Sequence, residues 1–233
     1  MFSTYEASSE RQPINDRRII KGKAVVIIGG ATEIGRASAG LLAEHGARVF
    51  VTAGNPAELG AVLTEVCQWG NEVHGMVVDL NNAEEIRRFF HAAEKRLGGI
   101  DILVNLPGAC PEISAIDQEI CQNRCVQEGI ERMQARSSGQ IVNIGAARSG
   151  QTLIPVTGAA QRGIGAALRH QAQEMGIRVT TIESGSSVGH ELVTAADEDL
   201  SPLDIAHYVL ESISQPFQVD RVYLRGRFQA KTN

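Results

Sequence analysis

The sequence predicts a doubly wound α/β domain: a seven-stranded parallel sheet flanked by helices. Three observations carry that expectation. Short apolar runs alternate with helical patterns along most of the 233 residues. Several runs, among them Ala24–Ile28, Ile100–Val104 and Gln140–Ile144, are nearly continuous in Val, Ile and Leu, as strands covered on both faces are. A glycine-rich stretch, Gly29-Gly30-Ala31-Thr32-Glu33-Ile34-Gly35, joins the first run to the first helical pattern. Alternation of this kind builds right-handed βαβ crossovers, and therefore a parallel sheet.

Strands are expected at Ala24–Ile28, Arg48–Thr52, Glu72–Val78, Ile100–Val104, Gln140–Ile144, Arg178–Ile182 and Arg221–Leu224. Helices are expected between them at Ile34–Glu44, Pro56–Trp69, Ala83–Leu97, Asp117–Ala135, Val156–Met175 and Pro202–Ser214. Asn55-Pro56 and Ser201-Pro202 are start signals, because Pro fits the first helical position. Asn82 and Asp117 suit the N-caps of two others. Residues 1–21 read as a flexible tail. Residues 22–233 read as one domain, long enough to bury a full core.

Composition narrows the function. Hydrophobic residues make up 43%, charged residues 21%, and the net charge is −5. A nucleic-acid surface needs a basic stripe to neutralise phosphates, so none is expected. No run reaches the ~18 apolar residues that span a bilayer, so no membrane segment is expected. The N-terminal MFSTYEASSERQPINDRR is polar and charged, unlike a secretory signal, and a cytoplasmic location follows as the expectation. Cys67, Cys110, Cys121 and Cys125 do not form a disulfide framework in a chain of this size. Cys121 and Cys125 share a helix face and read as packing. The six His are scattered, and no metal site is expected.

The glycine-rich turn is how a Rossmann fold holds a pyrophosphate. Its glycines allow a tight turn and close backbone approach, and the amides at the helix start bind the anion. The turn and later segments resemble the short-chain dehydrogenase/reductase family. That family's fingerprint is Thr-Gly, three residues, Gly, one residue, Gly. Gly29 matches its first glycine and Gly35 its last, while Glu33 stands at the middle one. Glu33 brings a negative charge towards an anion. At ~4 Å and an effective dielectric of ~20, two like charges repel by about 4 kcal/mol, less if the side chain turns into solvent. Thr32 stands where many NADP users carry a basic residue.

The same resemblance extends over residues 22 to 226. At the end of the second strand, Ala53 and Gly54 supply neither an acid for the ribose 2′-hydroxyl nor an Arg for a 2′-phosphate. Asp79, in Val78-Asp79-Leu80, matches the family's Asp at the adenine edge, and could equally cap the following segment. Asp101-Ile102-Leu103-Val104-Asn105-Leu106-Pro107-Gly108 is similar to Asp-Ile-Leu-Val-Asn-Asn-Ala-Gly. Asn105 and Gly108 match there, and the resemblance gives Asn105 hydrogen bonds that steady the central sheet. Gly29, Thr32, Gly35, Asp79, Asn105 and Gly108 are thus the candidate cofactor-binding residues. The implied cofactor is NAD or NADP, with weak or absent binding expected from the substitutions.

The family's catalytic positions have changed. Its members use a Tyr general acid/base, a Lys that lowers the Tyr pKa, and a Ser that orients the substrate oxygen. Alignment of Ile141-Val142-Asn143-Ile144-Gly145-Ala146-Ala147 puts the Ser position on Ala146. Alignment through Gly163, Glu174 and Gly176 puts the Tyr position on Thr157 and the Lys position on Gln161. The segment from Ser149 to Met175 contains no Tyr and no Lys in any register. Gln118 falls near the place of the family's relay Asn, and Ser149 could partly replace Ala146.

Three functions remain open at this level. The main expectation is a pseudoenzyme, a partner or regulatory subunit that pairs with itself or with a related catalytic chain. Small residues between Val156 and Leu168 would allow the close helix approach such pairing needs. The alternative is an NAD(P)-dependent oxidoreductase with substituted catalytic residues. A non-redox enzyme reusing the cleft, through Glu183, Ser184, His190 and Glu191, is the third.

Overall fold

The structure, a computed structural model, describes residues 19–69, 72–106, 115–145, 166–184 and 200–224, with the backbone alone at Trp69, residues 115–119 and residues 183–184. Seven strands are present: β1 (Ala24–Ile28), β2 (Arg48–Ala53), β3 (Val73–Val77), β4 (Ile102–Asn105), β5 (Gly139–Gly145), β6 (Ile177–Ser184) and β7 (Arg221–Leu224). They form one sheet in the order β3-β2-β1-β4-β5-β6-β7, with every pairing parallel. Helices α1 (Glu33–Glu44), α2 (Pro56–Val66), α3 (Ala83–Leu97), α4 (Ala115–Gln134) and α6 (Pro202–Ser214) connect the strands. Residues 166–174 are helical and form the described part of α5.

The sheet is buried on both faces because alternate residues of its central strands point to opposite layers. Val25 and Ile27 of β1 join a core with Leu42, Val62 and Val209, from α1, α2 and α6. Ala24, Val26 and Ile28 join the opposite core with Phe89, Cys125 and Ala172, from α3, α4 and α5. That second core is anchored by Phe89, whose ring lies 5.4 Å from Phe50 and 5.5 Å from Phe90. Burying one such side chain stabilises the fold by about 1.5–3 kcal/mol.

Caps end the helices as the sequence signals suggest. Asn55 Oδ1 accepts from the Glu58 amide, Asn82 Oδ1 from the amides of Glu84 and Glu85, and Ser201 and Asp204 form a capping box. Helix α4 differs: it begins at Ala115, so Asp117 lies inside its first turn rather than at its cap. An acidic residue suits that place too, near the positive end of the helix dipole. Helix α2 stops at Val66 and tightens into a 3₁₀ turn over Cys67–Trp69.

The domain starts before residue 22. Ile20 is 1% exposed and packs in the first core, and Gly22 donates to the Gly46 carbonyl. Residues 19–21 therefore belong to the domain and not to a tail. One buried apolar side chain in a polar stretch carries no periodicity that would announce it.

Long polar side chains stitch the N-terminal end of the sheet. Asp101 accepts from the Ala24 amide, and Arg136 meets both Asp101 and the Ile100 carbonyl. Gln140 donates to the Ser212 carbonyl and accepts from Arg178, which also donates to the Gln215 carbonyl. Arg48 donates to the Leu97 carbonyl. No described helix is long and apolar enough to cross a membrane.

Candidate functional site at the strand switch

Strand β1 lies between β2 and β4. The chain winds outward through β2 and β3, then returns to the other side of β1 with β4. Helices on the two sides leave the sheet in opposite directions there, and in open α/β sheets the ligand crevice lies beyond the carboxyl ends of the strands at such a point.

The turn after β1 is built for close approach. Gly29 has φ of 77°, a left-handed conformation that glycine adopts without strain. Its amide donates to Thr52 Oγ1, and its carbonyl accepts from both the Thr32 amide and the Thr32 hydroxyl. A Cβ at Gly35 would stand 2.1 Å from the Gly29 carbonyl oxygen, and one at Gly30 would stand 2.5 Å from the Val51 Cβ. Both glycines are thus demanded by the packing of the turn on α1 and β2, whatever binds there.

Thr32 caps α1, its Oγ1 accepting from the Gly35 amide at 3.0 Å. Hydrogen bonding within the helix starts at Arg36, whose amide reaches the Thr32 carbonyl. The amides of Glu33 and Ile34 carry no hydrogen bond among the described residues. These are the free donors that make a helix N-terminus an anion site. The Glu33 side chain is exposed, so its carboxylate is free to stay hydrated. Arg36 leans back over the turn, donating to the Ala31 carbonyl and pairing with Glu65 at 3.5 Å.

At the end of β2 the structure supplies a carboxylate that strand-end reading missed. Glu58, in the first turn of α2, reaches back so that its Oε2 accepts from the Gly54 amide at 3.1 Å. Its signal in the sequence was the Asn55-Pro56 helix start followed by an acid at the third helical position, a capping pattern. The next loop uses the same device: Glu85 accepts from the Asp79 amide. Asp79 itself is exposed and accepts from the Asn81 amide through Oδ1, holding the turn into α3.

Asn105 ends β4 at 2% exposure. Its Nδ2 donates to the Gln122 carbonyl and to Asn143 Oδ1, tying β4 to α4 and β5. Its Oδ1 is buried with no partner among the described residues, an unspent acceptor at the switch point. Leu106 is 3% exposed and packs in the first core, its amide donating to the Ile28 carbonyl. The β1–β4 pairing therefore extends one residue past the strands, and the Leu106 side chain is absorbed by the core.

Gly108, Ala146, Ser149, Thr157, Gln161, His190 and Glu191 lie outside the described residues. So do most of the small residues between Val156 and Leu168 and the side chains of Gln118, Glu183 and Ser184. Among the described residues no group of His, Cys, Asp and Glu could hold a metal ion.

A nicotinamide dinucleotide fits the described part of this crevice on three counts. A glycine cradle lets the backbone come close, and among the described residues two first-turn amides and the buried Asn105 Oδ1 have no hydrogen-bond partner. An uncharacterized oxidoreductase of Staphylococcus aureus strain MW2 is 29% identical over 225 residues, covering 87% of this chain and 95% of that protein. A metagenomic short-chain oxidoreductase solved with NADP superimposes with a TM-score of 0.73 at 24% identity, covering 90% of this chain and all of that one. An NADH-dependent reductase solved with NAD superimposes with a TM-score of 0.72 at 19% identity, covering 90% and 98%. These structures share the fold. A family model described as short chain dehydrogenase matches residues 23–186, and the chain accordingly belongs to the short-chain dehydrogenase family.

Proposed function

We propose that the protein binds a nicotinamide dinucleotide at the strand switch and acts as an NAD(P)-dependent oxidoreductase with substituted catalytic residues. The observation that carries this reading is the pair of free amides at Glu33 and Ile34 beside the glycine cradle. An anion-binding helix start, placed at a topological switch point, is the pyrophosphate half of such a site. The family's oxidoreductase character and the dinucleotides held by the neighbours above support the same reading.

Reducing a carbonyl requires a hydride at carbon and a proton at oxygen. When bound, the reduced dinucleotide supplies the hydride and is left oxidised. The proton has to come through the protein. With Thr157 and Gln161 at the family's Tyr and Lys positions, no phenol with a tuned pKa stands ready between Ser149 and Met175. A hydroxyl such as Ser149, or water admitted to the crevice, then delivers it. Positioned acid/base groups are worth ~10²–10⁴-fold, so turnover should be lower than in intact relatives by about that factor.

The substituted positions also favour a second reading, a partner or regulatory subunit in a homo-oligomer or beside a related catalytic chain. The two separate in one experiment. NADH and NADPH are titrated into purified protein by nucleotide fluorescence, and turnover is then measured on a panel of small ketones and aldehydes. Saturable binding with slow, protein-dependent turnover is the expected result. Binding of neither nucleotide at millimolar concentration overturns the oxidoreductase reading and leaves the partner role. Binding without turnover on any carbonyl supports a subunit that keeps its nucleotide for stability.

A further inference from the structure

We infer that Thr52 is the positioning residue of the anion site, its buried hydroxyl fixing the glycine turn and, through it, the two free amides of α1. This rests on the dinucleotide reading above and deepens it, from the groups that face the phosphates to the group that holds them in place. Thr52 is 1% exposed in β2, so it acts on a nucleotide only through other residues.

The need for such a residue arises where the backbone ladder stops. The last β1–β2 partners are Ile27 and Val51. Two residues further on, Gly29 turns out of the sheet at φ of 77°, and its amide goes to a side chain, donating to Thr52 Oγ1 at 2.9 Å in a buried setting. The turn also rests on this strand end. A Cβ at Gly30 would stand 2.5 Å from the Val51 Cβ and 3.2 Å from the Thr52 carbonyl oxygen. Contact with β2 limits how near the turn can come. The directional bond from Gly29 fixes how its peptide is oriented.

From Gly29 the constraint passes to the helix. The Gly29 carbonyl accepts from the Thr32 amide at 3.0 Å and from the Thr32 hydroxyl at 2.8 Å. Thr32 Oγ1 accepts from the Gly35 amide, and the Thr32 carbonyl from the Arg36 amide. An unbroken series of hydrogen bonds thus joins β2 to the first turn of α1. It also sorts the donors. The Gly29 amide is spent on Thr52 and the Gly35 amide on Thr32, which leaves those of Glu33 and Ile34 unspent among the described residues. Donors aimed in advance bind an anion without the cost of being ordered. Thr32 alone would cap any helix. Thr52, 23 residues away in the chain, ties that cap to the sheet.

Thr52→Val nearly keeps the side chain's shape and removes the acceptor, whereas Thr52→Ser keeps the acceptor. Affinities of the parent and both variants for NADH and ADP are measured by calorimetry, with adenosine read by competition, beside thermal unfolding without nucleotide. Thr52→Val is expected to weaken NADH and ADP by about tenfold, the worth of a buried hydrogen bond, and adenosine by less than about twofold. Thr52→Ser should stay within about threefold of the parent for all three. A merely structural loosening would weaken adenosine as much as ADP. Equal losses for those two ligands, an NADH affinity unmoved by Thr52→Val, or a Thr52→Ser protein as weak as Thr52→Val each overturn the assignment and leave dinucleotide binding intact. Amide hydrogen exchange in the parent protein tests the same claim without a substitution. The Gly29 amide should exchange slowly without nucleotide, and those of Glu33 and Ile34 should be fast until NADH is added. A fast Gly29 amide overturns the role of Thr52 even if Thr52→Val does not fold. Failure of the parent to bind either NADH or ADP overturns the dinucleotide reading and this one with it.

Discussion

The two ends of the sheet spend their polar groups on different things. At the N-terminal end, Asp101, Gln140, Arg136 and Arg178 run between strands and helix ends, each satisfying a backbone group or another side chain. At the C-terminal end, Thr32 and Asn105 also make bonds, but capacity is left over: the amides of Glu33 and Ile34, and Asn105 Oδ1. A buried polar group without a partner costs about 1–3 kcal/mol. Under the reading proposed above, the groups left over among the described residues at the C-terminal end are the ones a bound nucleotide would use. Changes at the two ends should therefore separate stability from binding.

The largest effect is expected where the open end depends on packing. Gly35→Ala would place a methyl 2.1 Å from the Gly29 carbonyl, a backbone atom that cannot swing aside. Elsewhere in a helix the same change gains about 1 kcal/mol of propensity. Here the clash should reverse the sign and cost about 3 kcal/mol, with nucleotide binding lost as the turn moves. Gly60, in α2, is the control: nothing lies within 4 Å of its added Cβ, so Gly60→Ala should stabilise by roughly 0.5–1 kcal/mol. Urea unfolding of the two variants, read with a nucleotide titration, checks both signs. Equal effects would mean that the glycine turn is looser than its contacts imply.

The closed end should respond in stability alone. Gln140→Leu leaves the Ser212 carbonyl without its donor and one Arg178 nitrogen without its acceptor, both near the base of β5 and β6. A loss of about 2 kcal/mol is expected, with nucleotide affinity unchanged wherever the protein remains folded. A shift in affinity larger than the shift in unfolding would show that the two ends are coupled through β5.

How far the sequence reveals this division depends on the range of the interaction that decides it. Strands β1 and β7 fall where the apolar runs place them, and Asn55, Asn82 and Ser201 cap the helices that their own neighbours announce. These are local effects. Strand β4 begins two residues later than its apolar run, and Asp101 and the Ile100 carbonyl there meet Ala24 and Arg136, partners 77 and 36 residues away that no local pattern announces. Glu58 escaped a reading that compared strand ends, since its carboxylate arrives from the following helix. Glu33 stood out in the fingerprint, but its exposure is set by how α1 leaves the sheet. The absence of Tyr and Lys between Ser149 and Met175 needs no structure at all.

The smallest effect is expected at Glu33. Glu33 stands at the family's middle glycine, where the sequence reading expects it to repel a phosphate by about 4 kcal/mol, less if the side chain turns into solvent. The structure puts the side chain in solvent at the first residue of α1. An exposed charge interacts through water, where a pair at 4 Å is worth about 1 kcal/mol and salt screens it further. The charge also contributes to the helix, since an acid near the N-terminus stabilises by about 0.3–1 kcal/mol. Glu33→Gln isolates these effects without touching the backbone. It should tighten dinucleotide binding by roughly two- to fivefold at low salt, with no gain at about 1 M salt. The fold should lose less than about 1 kcal/mol. A hundredfold gain from Glu33→Gln would place the carboxylate against the pyrophosphate, and the open end of the sheet would then have been closed by this one side chain.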